Sequence, residues 1–432
     1  MTSTPAGAHR SGDRPRVAVV GSGVSGLTAA YVLRRTHDVT LFEAEDRFGG
    51  HAHTHALDAD GTTHHVDSGF IVHNDRTYPL LRRLFAELDV DVHPTEMSMS
   101  ISCEGCGLEF AGGRKLPGLF AQRRRLADPT YLRLLAGVKR FQRAALALLD
   151  SEPDASEPQT LGDFLALHGF SDHFVAHYAV PVVSCVWSSG QETALQYPAR
   201  YLFEFLRHHG FLSISGSPQW YTVRGGSGAY VQKVAAAIGD VRAATPVRAV
   251  SRKPDGVVVL DGSGDEHRVD SVVIATHADD ALALLTDATD AERRVLGSFT
   301  YSHNETVLHQ DPSLLPRADG AKASWNYRMD TCSARGDSTA VTYWMNKLQG
   351  IESSRPYLVS LNSTPRIRAD EVIATMQYTH PVYTPTSVAA QRELPDLSDG
   401  RTAFAGAYHG WGFHEDGCRS GVEAARSLGA TW

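Results

Sequence analysis

The chain is predicted to be α/β, a parallel-sheet domain interleaved with an α+β domain, and three observations predict it. Residues 16 to 43 run strand, glycine turn, helix, strand, acid; residues 299 to 390 keep the period of two of an antiparallel sheet; residues 402 to 428 return to a buried strand and then a helix. A length of 432 residues exceeds one ordinary core, so two domains are expected.

Residues 16 to 20, RVAVV, are apolar and β-branched, enough for one buried strand. Gly21, Gly23 and Gly26 come after it in G-x-G-x-x-G spacing, with Ser22 and Ser25 between them, and Leu27, Ala30, Tyr31 and Leu33 recur at helical spacing. A turn opening on a helix N-terminus is an anion site: its free N–H groups and positive dipole end favour a pyrophosphate, and glycine lets the backbone approach. Residues 39 to 42 make a second strand ending in Glu43, where a carboxylate can accept from both hydroxyls of an adenosine ribose. A Rossmann-type dinucleotide site is therefore expected.

The residues from Glu43 onward select the dinucleotide. They run Glu43, Ala44, Glu45, Asp46, Arg47, Phe48, Gly49, Gly50 and His51, and here the sequence resembles the flavin-dependent amine oxidase superfamily, whose second strand ends in E-x-x-x-R-x-G-G. The resemblance implies FAD rather than NAD, bound in a Rossmann-type FAD domain, with Arg47, Gly49 and Gly50 along the pyrophosphate and flavin. It also implies that Asp67, Ser68, Gly69 and Phe70 lie beside the isoalloxazine, that Val247 meets the adenine through its backbone, and that Ala275 and Thr276 end the VVIAT strand. Gly406, Ala407, Phe413, His414, Glu415 and Asp416 would lie at the flavin O2/N1 edge, where the last helix stabilises the reduced flavin through its N-terminus. Phe413 stands at an aromatic-cage position and His414 where a backbone N–H meets the flavin. The FAD domain is assigned to 16–72, 223–298 and 391–432, and the substrate domain to 73–222 and 299–390. A second strand, glycine turn and helix unit is not seen, so no built-in NAD(P)H site is expected.

His51, His53 and His55 alternate and would share one face of a strand, either as metal ligands, as a flavin attachment point or as polar residues at the flavin edge. A turn is placed at Asp60 and Gly61, a strand over 63–72 and a helix over 78–88. Residues 117 to 150 read as helices whose apolar side holds Leu132, Leu134, Leu135, Val138, Phe141, Ala145 and Leu148; residues 151 to 159 have linker composition. The helical stretch 160–210 is rich in aromatics, most of them core and a few suited to a substrate tunnel. A helix over 229–238 and a strand over 241–250 come next, and Trp344, Met345 and Asn346 are placed on one strand.

Apolar content of 42% and charged content of 21% are those of a soluble protein, and no run approaches the roughly 20 apolar residues of a membrane span. The first fifteen residues read as a flexible tail and not a signal peptide, so a cytoplasmic protein is expected. A net charge of −8 argues against nucleic-acid binding, yet residues 114 to 143 hold nine cationic side chains against Asp128 alone. That basic face suits lipid headgroups, an acyl carrier protein or solvent. Of five cysteines, Cys103 and Cys106 form C-x-x-C. Zinc would need two further ligands and redox chemistry a helix start, whereas SISCEGCGLEF reads as a hairpin, so they are taken as flanking its turn and no metal is expected.

The substrate half departs from amine oxidases. The lysine that usually holds a water at flavin N5 should fall near Asn304 to Thr306, where there is none, and the second cage position falls near Tyr378, followed by His380. GGHAHT, FIVHN, YWMNKLQ and GFHEDG resemble a bacterial group of FAD-binding oxidoreductases often encoded beside cyclopropane-fatty-acid-synthase-like methyltransferases. The resemblance implies a lipid acyl substrate, a possible methyltransferase partner, and hydride removal from carbon to flavin, with Tyr378, His380, His414 and Trp344 as catalytic candidates. The rivals are an amine or amino-acid oxidase, a polyene or carotenoid desaturase, and a non-catalytic FAD-bound partner of the methyltransferase.

Overall fold

The computed structural model describes residues 14–59, 61–113, 115–152, 159–213, 217–333 and 339–432. Most of the N-terminal tail, Asp60 of the first turn, Arg114 of the basic run and most of the 151–159 linker lie outside them.

Five parallel strands form the first sheet, in the order Val241–Arg242, Asp38–Phe42, Arg16–Val20, Ser271–Ile274, Thr402–Phe404. Val17 to Val20 and Ser271 to Ile274 are buried throughout because helices and an antiparallel ribbon cover both faces, which is why these strands read as continuous apolar runs. The helix after the glycine turn, Val24–Leu33, is also buried at every position, since it lies between the sheet and the C-terminal helix, His414–Ser427. That crossing joins the first and last parts of the chain and is made by missing side chains. A Cβ on Gly421 would sit 2.3 Å from the Ser25 carbonyl oxygen, and one on Gly417 2.6 Å from Val24 Cγ1.

The second large sheet has seven strands, in the order Val372–Val382, Thr300–His309, Leu358–Leu361, Val341–Trp344, Trp325–Met329, Met99–Cys103, Leu108–Gly112. All its pairs are antiparallel except that of Trp325–Met329 with Met99–Cys103. Against it packs a helical layer that includes Pro129–Asp150, Val180–Trp187 and Ala199–His208. The aromatics of this layer are core: Phe203 meets Phe141 and Phe164 at centroid distances of 5.4 and 4.7 Å.

Several elements differ from the sequence reading. The strand expected over 63–72 splits into Thr62–Asp67 and Val72–Asn74, because Gly69 passes so close to His51 that a Cβ would lie 2.1 Å from its carbonyl oxygen. The strand expected over 241–250 also splits, its first part pairing with Asp38–Phe42 and its second, Val247–Lys253, entering a separate antiparallel sheet. The intervening segment 243–246 is tied to Glu43 and Glu45 by backbone hydrogen bonds, which forces the turn. Trp344 ends its strand, and Met345 and Asn346 open a short helix. Leu132, expected inside, is 44% exposed, while Leu149 is buried. Trp220–Val223 pairs with both Val72–Asn74 and Val92–Thr95, so the expected domain boundaries at 72 and 222 cut through paired strands.

Replacing Gly421 with Val should cost about 1–3 kcal/mol, the cost of overpacking a tight crossing, read by urea unfolding; an unchanged midpoint would show that the crossing is looser than its geometry.

Candidate functional site

The helix Val24–Leu33 starts at Gly23 with no side-chain cap and no acid in its first turn, so its leading N–H groups remain for an anion. Gly21 has φ +96°, and a Cβ there would meet the Ala275 carbonyl oxygen at 2.8 Å; a Cβ on Gly26 would sit 1.9 Å from the Gly21 oxygen. Beside Gly23, by contrast, a Cβ would find nothing within 4 Å, and Gly50 lies against it, its own Cβ position 3.2 Å from Gly23 Cα. The turn is thus closed behind and open in front. Glu43 is aimed at it: Oε2 accepts from the Ser22 N–H at 2.9 Å and the Ser22 hydroxyl at 2.5 Å, and Oε1 from the Glu45 N–H at 2.9 Å. Arg47 donates to the Gly50 carbonyl at 2.8 Å and pairs with Glu45, while the Gly49 N–H donates to Ser22 Oγ at 3.1 Å. Ser25 is buried against Gly417 and Gly421, Ala44 is exposed, Thr276 bonds the His277 carbonyl, and Val247 begins a strand on the far side of Glu43. This cradle has the open glycine face and free helix end that a dinucleotide pyrophosphate requires.

Past Gly50 the chain enters a buried cluster of imidazoles and a phenol. His51 lies with its ring 5.0 Å from Tyr378, 5.3 Å from His380 and 6.5 Å from His277, and its Nε2 is buried without a partner. The Tyr378 hydroxyl lies 2.8 Å from Ser68 Oγ and 3.0 Å from His53 Nδ1, and Ser68 Oγ is 2.9 Å from His55 Nε2. The strand begins only at Thr54, so of the three alternating histidines only His55 is on it; His51 packs against the Tyr378 and His380 rings, His53 meets the Tyr378 hydroxyl and His55 the Ser68 hydroxyl.

His380 is fixed by an amide chain. Asn362 Nδ2 donates to the Thr339 carbonyl and to Asn304 Oδ1, so the Asn304 amide N–H faces His380 Nδ1 at 3.1 Å. From this network the His380 proton is assigned to Nε2. Asn304, at the position expected for the lysine of amine oxidases, thus orients His380. Sequence reasoning identified the absence of lysine but missed Asn362, which carries no motif.

Asp67 is fully buried. Its carboxylate accepts from Thr54 Oγ1, from the Ser227 N–H and Oγ and from Gln349 Nε2 at 2.5 to 3.0 Å, pinning the sheet edge to the helix Gly228–Ile238. Burial pushes its pKa up to about 7. Phe70 stacks on His414 at 3.7 Å, and His414 Nε2 lies 3.2 Å from Tyr230 Oη. His414 is thus packed between rings, with no hydrogen bond or ring contact to Tyr378 or His380 among the described residues. Trp344 is likewise set apart, its indole 5.7 Å from Lys347 Nζ and its backbone N–H donating to the Ser324 carbonyl.

At the C-terminal helix the Gly406 N–H donates to Ser420 Oγ at 2.9 Å, and Ala407 opens a tight turn. Glu415 accepts from the Leu80 and Leu81 N–H groups, capping another helix, and Asp416 accepts from the Phe413 N–H and pairs with Arg419 at 3.1 Å. Both carboxylates are committed within the protein, which leaves backbone N–H groups as what this end offers a ligand. Beside it opens a cavity of about 560 Å³ whose walls include Tyr78, Trp411 and Phe413 together with Arg76 and Arg419. Phe413 stacks on Phe205 at 4.7 Å, and no direct ring contact joins it to Tyr378 among the described residues.

Residues 24–307, well over half of the chain, match the family model of flavin containing amine oxidoreductases. A carotenoid phi-ring synthase of Streptomyces griseus is 32% identical over 64% of this chain, which spans 55% of that relative's length. Among solved structures, a cyclohexylamine oxidase from Brevibacterium oxydans is similar with a TM-score of 0.69 and 17% identity, covering 96% of this chain and 98% of its own. A fatty acid isomerase from P. acnes is similar with a TM-score of 0.64 and 15% identity, covering 94% and 97%.

Burial holds many imidazoles neutral: His380, His73, His209 and His309 are lowered to about 4, His414 and His409 to about 3, and His51 well below its ordinary value. Unfolding frees these rings to bind protons below pH 6.5, so the unfolded state binds more protons there and stability falls with pH from about 6.5 toward 4. Asp67 and Glu415, both raised to about 7, act with the opposite sign over the same range but are fewer. Thermal melts should therefore drop steeply below pH 6.5; a flat profile would show the rings to be solvated.

Proposed function

The chain belongs to the family of flavin-containing amine oxidoreductases, and from that premise we propose that it is an FAD-dependent oxidoreductase that withdraws hydride from a carbon of an acyl chain carrying an anionic head. The observation that carries this reading is the cavity at the C-terminal helix. Its aromatic walls suit an apolar chain; Arg76 and Arg419 line it together with Glu415 and Asp416, and since Arg419 pairs with Asp416 an anionic head would share that guanidinium, while an ammonium would meet carboxylates engaged by Arg419, Leu80 and Leu81. The names of two similar proteins, a fatty acid isomerase and a carotenoid ring synthase, agree with a hydrocarbon substrate. The amine oxidases of the same fold keep the amine reading as the alternative.

Gly21, Gly23, Gly26, Glu43 and Gly50 would hold the adenylate and pyrophosphate of FAD, and backbone N–H groups at 414–416 the flavin end. FAD, when bound, accepts the hydride. His380, a catalytic candidate from sequence, would present an Nε2–H donor, its Nδ1 being taken by Asn304. His51 is placed as the proton acceptor because its Nε2 is buried without a partner. Tyr378, held by Ser68 and His53, packs on the His51 ring and fixes its place.

The basic run supports delivery of such a substrate from a lipid surface. Leu116, Leu126 and Leu132 are exposed within it, among the exposed side chains of Arg123, Arg133, Lys139, Arg140 and Arg143. Arg124 and Arg125 turn inward to the Gly107 and Cys106 carbonyls, so the run is not one uniform face. Among the described residues no helix is long and apolar enough to cross a membrane.

Anaerobic mixing of the yellow protein with fatty acids or anionic phospholipid vesicles should bleach the flavin, and an amine panel should not. His51→Gln should slow bleaching by about 10²–10⁴-fold with FAD retained, the usual worth of a positioned base. Bleaching by amines alone would overturn the substrate class.

A further inference from the structure

The structure completes a ligand set that the sequence left half-made. Cys103 and Cys106 flank the turn of the hairpin 99–112 as expected, but two further donors from distant parts of the chain meet them: His177 from the helical layer, and Cys332 from the loop after Trp325–Met329. Their four donor atoms all lie within 4.8 Å of one another. We propose that these residues bind a structural zinc ion in a Cys₃His site.

The spacing fits that ion. Tetrahedral zinc with Zn–S of about 2.3 Å and Zn–N of about 2.0–2.1 Å sets sulfur pairs about 3.8 Å apart and sulfur–nitrogen pairs about 3.5 Å apart. Cys103 Sγ and Cys332 Sγ are 3.8 Å apart, and Cys106 Sγ and His177 Nε2 are 3.5 Å apart. A disulfide would instead need about 2.05 Å between sulfurs and would leave Cys106 and His177 without a role.

The surroundings are those of a metal site. His177 Nδ1 lies 3.0 Å from the His173 carbonyl, which makes it the donor and leaves Nε2 free to ligate, the outer contact that usually orients a ligating histidine. His177 sits on a π-type turn, Val175–Ala179, a local widening that often marks functional positions. The N–H groups of Cys106 and Leu108 donate to the Cys103 and Cys106 sulfurs. At Gly105 a Cβ would lie 3.0 Å from the Cys332 N and the Thr331 Cα, so only glycine lets the two cysteine-bearing loops come this close. Three thiolates around Zn²⁺ leave one negative charge, and Arg125, bonded to the Cys106 carbonyl at 2.9 Å, supplies nearby positive charge. All four positions are filled by protein, so the ion would pin the hairpin, the helical layer and the loop together and would bind no substrate.

The test is metal analysis of the full-length flavoprotein purified without chelator from zinc-supplemented cells. About one zinc per chain is expected, released by a mercurial that titrates thiols, and reduced below a tenth in Cys106→Ser and His177→Ala. Because loss of a ligand can also unfold those variants, the wild-type protein is reconstituted with Co²⁺ as well, which should give tetrahedral thiolate bands to the red of the flavin absorption. Wild-type protein without stoichiometric zinc, zinc retained when Cys106 and Cys332 are both replaced by Ser, or a Cys103–Cys332 disulfide found by mass spectrometry would each overturn the proposal.

Discussion

The contact on which the molecule depends is the crossing of its first and last long-range partners, the helix Val24–Leu33 and the helix His414–Ser427. Nothing larger than hydrogen fits at Gly417 and Gly421, so the two backbones touch near their N-terminal ends. The first end, at the glycine turn, has no cap and no acid in its first turn; the second, beside the cavity of Phe413 and Arg419, carries Glu415 and Asp416 in its first turn, with their carboxylates committed to Leu80, Leu81, Phe413 and Arg419. Anions or electron-rich edges are favoured at both, which is how one elongated cofactor can bridge chain segments almost four hundred residues apart.

Around this crossing the interior is polar, its imidazoles neutral and the buried Asp416 paired with Arg419. His51, His380 and His414 are neutral through burial, and Asp67 is saturated by Thr54, Ser227 and Gln349, so the site has dipoles and fixed donors where a net charge would be costly. A neutral setting suits transfer of hydride from carbon. The Asn362, Asn304 and His380 chain is a preorganised part of that setting, because each amide has only one orientation that satisfies its neighbours.

The parallel sheet and its glycine turn were legible because their physics is local. A β-branched run, a G-x-G-x-x-G and an acid after the next strand describe a single unit of chain, and residues 16 to 43 fold as they read. The period-two region was legible too, but not its extent: the strands Met99–Cys103 and Leu108–Gly112 join that sheet through pairing with Trp325–Met329, a contact no local pattern encodes. The same limit applies to side chains. His414 and Trp344 lie within motifs, yet stacking on Phe70 fixes the one and the strand end fixes the other, contacts that the motifs do not encode. Asn362, Gln349, His177 and Cys332 matter only through neighbours far away in sequence, so no pattern around them marks their roles.

Hydrogen–deuterium exchange, comparing the deflavinated protein with the same protein refilled with FAD, tests the central claim most directly. One cofactor held at both helix ends should protect residues 21–27 and 413–418 together, at one stoichiometric equivalent. Protection of only one of these segments, or a protein that remains colourless after refilling, would contradict it.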